Sequence, residues 1–168
     1  PREGDEINLW FEYELFCSVN YWFCLDLLRE SKAAVYRISP TFRDAESRWK
    51  GFGGLTPTEM LACYSERIKL STEDLAQGSS LWQAFRSHDL ENVRRLGNYD
   101  SPAFPHLKEV ANAAGELDRR PKQILESIRS SGKTDFHDIF TEFNSQAGVY
   151  GFGDAQVKRL MGNSKPSR

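Results

Sequence analysis

An apolar helix flanked by two short strands is the feature that most constrains the fold of this chain. The segment 14–30, "ELFCSVNYWFCLDLLRE", is apolar almost all round at helical spacing. The runs "INLWF" (7–11) before it and "AAVYRIS" (33–39) after it are short and apolar, which predicts strands buried in a sheet. A strand, a helix and a strand in this order are typical of a β-α-β unit with parallel strands. We therefore predict an α/β fold that opens with a partial, Rossmann-like β-α-β unit over residues 1–54, including a connection from 40 to 54.

The sequence indicates that this β-α-β unit is only part of a larger sheet. Two strands are too few for a stable sheet, and the helix has so little polar surface that it needs cover on more than one side. The chain also begins with Pro1 rather than with methionine. From these features we expect the later part of a longer protein, in which an upstream segment completes the sheet.

The rest of the chain is predicted to be mostly helical, with a helical middle region over 55–117. The strongest helix start lies at Thr56, where Pro57 and Glu59 complete the pattern of a capping box. This helix is expected to run to about Ile68. Three more helices are predicted after it: one capped by Ser71, one from Asp89 to a stop at Gly97, and one over roughly 103–117.

The last third is predicted to form a helix-turn-helix-like subdomain over 118–162. Its helical segments are "PKQILESIRSSG" (121–132), "TDFHDIFTEF" (134–143, capped by Thr134) and "DAQVKRLM" (154–161, capped by Asp154). Short helices joined by tight connections are the pattern of that motif. The chain ends in a polar stretch, and we expect residues 163–168 to form a disordered tail.

Charge is divided unevenly along the chain. Residues 1–118 hold 13 basic and 19 acidic side chains, whereas residues 119–168 hold 9 basic and 5 acidic ones. This asymmetry favours an anionic contact for the last third, and DNA or another protein is the candidate partner. No apolar run approaches the ~20 residues of a membrane-spanning helix, so no membrane partner is predicted. Three cysteines without paired short spacing favour buried free thiols in a reducing cytoplasm.

Four stretches, taken in order, resemble one bacterial family. They are "LWFEYELFCSVNYWFCLDLL", "GGLTPTEM", "LWQAFRSHDL" and "GVYGFGDAQVKRL". Together they are similar to the family called domain of unknown function 1835, in its Bacteroidetes form, over nearly all of the chain. The resemblance implies an N-terminal α/β part followed by helices, with an opening strand and Gly-Asp-Ser-like turn that this sequence lacks. Many relatives carry Glu-His-Asp or Gly-x-Asp where this chain has Glu12, Tyr13 and Glu14, so the resemblance supports no imidazole chemistry at that position here.

The segment "GVYGFGD" (148–154) poses the question of a phosphate-binding loop. A dinucleotide loop needs G-x-G-x-x-G between a strand and a helix, whereas these three glycines follow a predicted helix in the order G-x-x-G-x-G. Asp154 stands where a phosphate would lie, and its carboxylate would cap the free amides and repel an anion. We therefore interpret this segment as a turn, and "GFGG" (51–54) likewise, and predict no cofactor site.

The best catalytic candidates are Glu12 and Glu14. They follow the first strand at the end where parallel sheets place their sites, and in extended backbone they point to the same side. Two carboxylates there could hold Mg²⁺ or act in acid–base chemistry. The competing interpretation is that they belong to the first turn of the next helix, where the helix dipole favours acidic groups. His88, His106 and His137 share no metal-ligand spacing, so surface or capping roles are expected for them.

The best binding candidates are Gln156, Lys158 and Arg159, which would face outward on the last predicted helix. In a helix-turn-helix such side chains reach phosphates and base edges. The competing interpretation is an ordinary packed helical subdomain. The sequence thus favours a non-enzymatic binding or regulatory module that contacts nucleic acid through this helix. The alternative is an enzyme that acts on a phosphorylated or nucleotide substrate through Glu12 and Glu14.

Overall fold

A mixed three-stranded sheet and a helix that connects its first two strands open the structure. The computed structural model describes residue 2 and the ranges 4–42 and 47–163. β1 (Glu6–Trp10) and β2 (Ala34–Ile38) pair in parallel, and α1 (Leu15–Leu28) lies between them in the chain. The expected parallel pair is therefore present, and the α/β, mostly helical fold class is confirmed.

The third strand comes from within the chain. β3 (Ile68–Lys69) pairs antiparallel with β2, which gives the order β1-β2-β3. The expectation that the helix from Thr56 runs to about Ile68 is wrong at its end, because α2 (Pro57–Ser65) stops earlier. The backbone beyond it is bonded to β2 instead, and the amide of Leu70 donates to the carbonyl of Val35 at 2.9 Å. The capping box at the start of α2 is confirmed.

α1 packs against several elements but is open along one stripe. Trp22 and Leu25 are buried where α1 packs against α3 (Thr72–Arg86), and Tyr21 is buried beside Phe104. Phe16 and Leu27 are 60% and 67% exposed on another side of the helix. The cover on more than one side that the sequence predicted is thus incomplete within the described ranges.

The remaining helices follow in sequence around one hydrophobic core. They are α4 (Leu90–Leu96), α5 (Leu107–Ala114), α6 (Arg120–Ser130), α7 (Phe136–Ala147) and α8 (Asp154–Asn163), with short 3-10 turns at Ser47–Trp49 and Gly148–Tyr150. The core is continuous from α1 through to Val157 of α8. The predicted cap Ser71 and the predicted helix start at Asp89 are confirmed, and each side chain accepts a backbone N–H of the first helical turn. The predicted boundaries after residues 54 and 117 stay predictions.

Two predicted caps in the last third are displaced by one residue. α7 is capped by Asp135, whose carboxylate accepts the amides of His137 and Asp138, and not by Thr134. At α8 the carbonyl of Gly153 accepts the amide of Val157 at 3.1 Å, so Asp154 is the first helical residue rather than the cap. In both helices the residue that becomes the N-cap depends on where the preceding turn ends. The residue types that favour capping do not determine that position.

The predicted tail 163–168 lies outside the described residues, apart from the backbone of Asn163, which ends α8. Within the described ranges, none of the helices combines the length and apolar character needed to cross a bilayer.

Candidate functional site

Glu12 and Glu14 lie where β1 ends and α1 begins. The parallel pairing continues one residue past β1, because the amide of Phe11 donates to the carbonyl of Ile38 at 3.1 Å. Glu14 is extended, with φ −66° and ψ 163°, and caps α1 by accepting the amide of Cys17 at 2.9 Å. This is the carboxyl edge of the parallel strands, where open α/β sheets bind their ligands.

The two carboxylates meet a thiol at this edge. One carboxylate oxygen each from Glu12 and Glu14 and the Sγ atom of Cys17 all lie within 4.8 Å of one another. Glu14 is only 6% exposed, and the other two residues are half-buried. We call these three residues the carboxylate–thiol cluster.

Both glycine segments of the sequence close against this cluster. Gly51 and Gly151 have φ of +66° and +67°, in the left-handed region that favours glycine. A Cβ atom at Gly51 would overlap the Glu12 carboxylate, and one at Gly151 would overlap the Glu14 carboxylate. The amide of Phe52 also donates to Glu12 Oε1 at 2.8 Å. The glycines therefore allow two turns to approach the carboxylates, and the interpretation of "GVYGFGD" as a turn agrees with this geometry.

Burial and nearby charges raise the pKa values of two groups of the cluster, Glu14 and Cys17. Neither glutamate has a Lys or Arg partner among the described residues. Burial raises the pKa of Glu14, the amide of Cys17 opposes that rise, and the nearby Glu12 charge adds to it. Burial, together with Glu14 and Glu12, raises the pKa of Cys17 to about 12. Such a cluster can bind protons or a cation, since either neutralises the carboxylates.

The candidates on α8 are separate from this cluster. The Lys158 ammonium donates to the Asp154 carboxylate at 3.0 Å and lies 4.6 Å from the ring centre of Phe136. The ammonium lowers the pKa of Asp154, and the amide of Ala155 acts in the same direction. Gln156 is half-buried, whereas Arg159 is exposed.

The three histidines do not join the cluster either. His88 and His137 are exposed. His106 occupies the N-cap position of α5 at φ +60°, without a side-chain cap bond, and packs edge-on against Tyr13 and Trp49.

His106 also lies among charged groups on several elements. Burial and the nearby Arg48 lower its pKa, Glu109 opposes that effect, and the more distant Arg37 adds to it. The neutral imidazole is therefore the form that the fold favours.

Sequence reasoning identified the two glutamates but missed Cys17. The sequence predicted only buried free thiols, whereas Cys17 and Cys24 are half-buried. The informative signal was its position three residues after Glu14: once Glu14 is the N-cap, position 17 lies in the first helical turn, directly beside the capping carboxylate.

The fold and the site define a mostly helical α/β protein with a buried carboxylate–thiol cluster at the carboxyl edge of its parallel strands. The chain matches no protein-family model, no curated protein and no solved structure.

Proposed function

We propose that the carboxylate–thiol cluster is a divalent-metal centre and the functional site of this protein. The observation that carries the proposal is the convergence of three ligand atoms within 4.8 Å around a buried carboxylate that has no basic partner among the described residues. A buried charge without a partner is costly, and coordination of a metal is one of the ways in which proteins offset that cost.

The ligand set favours a zinc-class ion over Mg²⁺. Thiolates select zinc and similar ions, whereas Mg²⁺ takes oxygen ligands in an octahedral arrangement. Three protein ligands with a fourth position open to water or substrate are the pattern of catalytic zinc sites. Such an ion supplies an activated water or a polarised oxygen. The amides of Phe52 and Cys17 would hold the two carboxylates in orientation through their bonds of 2.8 and 2.9 Å.

This proposal develops the enzyme alternative that the sequence offered. The substrate class proposed there, a phosphorylated compound or a nucleotide, remains part of it. Membership of the family called domain of unknown function 1835, a Rossmann-like N-terminal unit and a cytoplasmic location likewise remain proposals. They are supported by the order of the sequence motifs, the parallel strand pair and the unpaired cysteines respectively.

Co²⁺ titration tests the metal centre. We expect the protein to give a thiolate-to-cobalt charge-transfer band that Zn²⁺ abolishes by displacement. The variants Glu12→Gln, Glu14→Gln and Cys17→Ser should each weaken binding, and Cys17→Ser should remove the band.

Cys24→Ser is the matched control, because Cys24 is a half-buried thiol on the same helix outside the cluster. The proposal is wrong if the parent protein gives no charge-transfer band. It is equally wrong if Cys24→Ser removes the band and Cys17→Ser leaves it.

A second candidate function is nucleic-acid binding by a helix-turn-helix-like unit of α6, α7 and α8. It is favoured by the charge of residues 119–168, with 9 basic and 5 acidic side chains, and by the exposed Arg159. The ion pair of Lys158 with Asp154 leaves less free charge on α8 than the sequence suggested.

Retention on DNA at low salt tests this second candidate. Binding should weaken with added salt and in Lys158→Ala/Arg159→Ala, because each lost phosphate contact removes counterion release. The equally basic pair Arg94→Ala/Arg95→Ala on α4 is the control. Absence of retention at low salt, or equal loss in both pairs of substitutions, would rule the function out.

A further inference from the structure

A second polar site lies beside the carboxylate–thiol cluster. It is a cavity of about 330 Å³ at the ends of β2 and β3. Its lining combines hydroxyl groups, apolar surface, one carboxylate and one guanidinium, and includes Tyr13, Arg37, Ser39, Phe42, Glu66 and Ile68. The volume is at the small end of the range for sites that enclose small organic ligands.

Among the described residues, the buried guanidinium of Arg37 has no acidic partner. Arg37 is only 3% exposed. Its Nε donates to Ser39 Oγ and its Nη1 to the carbonyl of Ala103, both at 2.8 Å, and its Nη2 makes a longer bond of 3.4 Å to the main-chain carbonyl of Glu12. All three acceptors are neutral, and the described residues give Arg37 no carboxylate partner.

The aromatic surroundings do not neutralise this charge. The Arg37 guanidinium carbon lies 4.4 Å from the ring centre of Tyr21 and 5.8 Å from that of Tyr13. Such contacts offset only part of the cost of taking an arginine out of water without a counter-charge. Arginine is also the residue best suited to bind carboxylate and phosphate groups, through its planar fork of donors. A negative group is therefore the missing partner.

We infer that this cavity binds a small organic oxyanion, a compound with a carboxylate or phosphate head on an apolar body, and that Arg37 provides the charge that holds it. The Ser39 hydroxyl accepts from Arg37 and contacts the Tyr13 hydroxyl, and by turning its O–H away from Tyr13 it can donate to the same head group. Phe42, which is 41% exposed, and Ile68 offer apolar surface for the body of the ligand.

The charged residues that line the cavity also determine the orientation of the ligand. Glu66 is exposed and lines the same cavity, so its carboxylate would repel a second negative group at that end. A compound with one anionic head and a neutral body fits this arrangement. The inference does not depend on the metal centre, because neither Glu12 nor Glu14 belongs to the residues that line the cavity.

Titration with phenyl phosphate, benzoate and inorganic phosphate, followed by NMR, tests the inference. The side-chain Nε–H signal of Arg37 is the direct readout, since it reports on the guanidinium itself. We expect saturable shifts of this signal with phenyl phosphate or benzoate, and weaker binding of inorganic phosphate, which lacks the apolar body. The stronger of the two aromatic compounds identifies the head group as phosphate or carboxylate.

Variants separate this site from general anion binding. Arg37→Gln should weaken binding by about ten- to a hundredfold, the usual effect of losing a charged hydrogen-bond donor. If that variant does not fold, Ser39→Ala carries the test, with an expected loss of a few-fold. Arg95→Ala is the control, because Arg95 lines a different cavity, between α3 and α4.

Two results would overturn the inference. One is that none of the three compounds shifts the Arg37 signal at millimolar concentration. The other is that they bind equally well to the parent protein and to the folded Arg37→Gln or Ser39→Ala variant.

Discussion

The close approach of Gly151 to the Glu14 carboxylate leads to a measurable prediction about the turn that precedes α8. Substitution of Gly151 by alanine places a Cβ in a left-handed residue, φ +67°, which costs about 1–2 kcal/mol. The same Cβ would overlap the Glu14 carboxylate, which must then leave the amide of Cys17. Loss of such a helix cap costs about 0.5–2 kcal/mol. We therefore expect the free energy of unfolding of Gly151→Ala to fall by about 1.5–4 kcal/mol.

Gly132 provides the matched control for the backbone part of this cost. It has φ +91°, and a Cβ built there would meet nothing within 4 Å. Gly132→Ala should therefore show only the cost of an alanine at a positive φ. Because +91° is farther from the left-handed minimum than +67°, this cost is at least as large as the backbone cost at Gly151. The excess cost in Gly151→Ala reports the clash with Glu14.

Urea denaturation followed by tryptophan fluorescence measures both variants, and Glu14→Ala completes a double-mutant cycle. If Glu14 is the group that the new Cβ meets, the double variant should lose less stability than the two single variants together, by about 0.5–2 kcal/mol. The reasoning is refuted if Gly151→Ala costs no more than Gly132→Ala, or if the effects of Glu14→Ala and Gly151→Ala simply add.

Two further predictions concern buried polar groups outside the proposed metal centre. Because the pKa of His106 is lowered in the folded protein, its contribution to stability is present above the ordinary value near 6.5 and is lost as the pH falls below it. His106→Asn should weaken the dependence of the urea midpoint on pH in that range, since asparagine tolerates a positive φ. His88→Asn, at a similar φ of +59°, controls for the effect of asparagine at such a position. Asp74→Ala should lower the free energy of unfolding by about 3 kcal/mol at neutral pH, because the buried carboxylate accepts from the hydroxyls of Tyr99 and Ser101 at 3.0 and 2.6 Å. Burial opposes the charge of Asp74, yet these hydrogen bonds lower its pKa, so the difference from the parent should shrink only as the pH falls below its ordinary value; an equal difference at all pH values would contradict this.

The parts of the fold that the sequence predicted correctly are those fixed by neighbouring residues. The caps at Thr56 and Ser71 and the helix start at Asp89 depend on side chains within three positions, and the parallel strand pair follows from apolar runs of the right length. β3 could not be recognised in this way, because a strand of two residues is stabilised by its pairing with β2 rather than by its own composition. A cap shifted by one residue, as at Asp135, has the same origin, since two adjacent residues had suitable side chains.

For a similar reason, only part of the candidate site could be predicted from the sequence. The positions of Glu12 and Glu14 followed from the strand before them. Their surroundings depend on contacts with Gly51 and Gly151, which are far away in the chain. Each glycine segment, taken alone, indicated a turn, and only the tertiary structure brings both turns to the same pair of carboxylates.

The placement of Glu14 and Arg37 is the strongest general argument that this edge of the sheet has a function. Both are buried, at 6% and 3% exposure, and they carry opposite charges, yet they are not paired with each other. Of the two glutamates, Arg37 contacts only the main-chain carbonyl of Glu12, while the glutamate side chains lie beside the thiol of Cys17. Selection for stability alone favours pairing such charges or replacing them with apolar residues, because an isolated buried charge opposes folding. Two buried ionisable side chains that lack an oppositely charged partner among the described residues, one in a cluster of metal-ligand atoms and the other lining a cavity, support the proposals of a cation site and an anion site at adjacent positions.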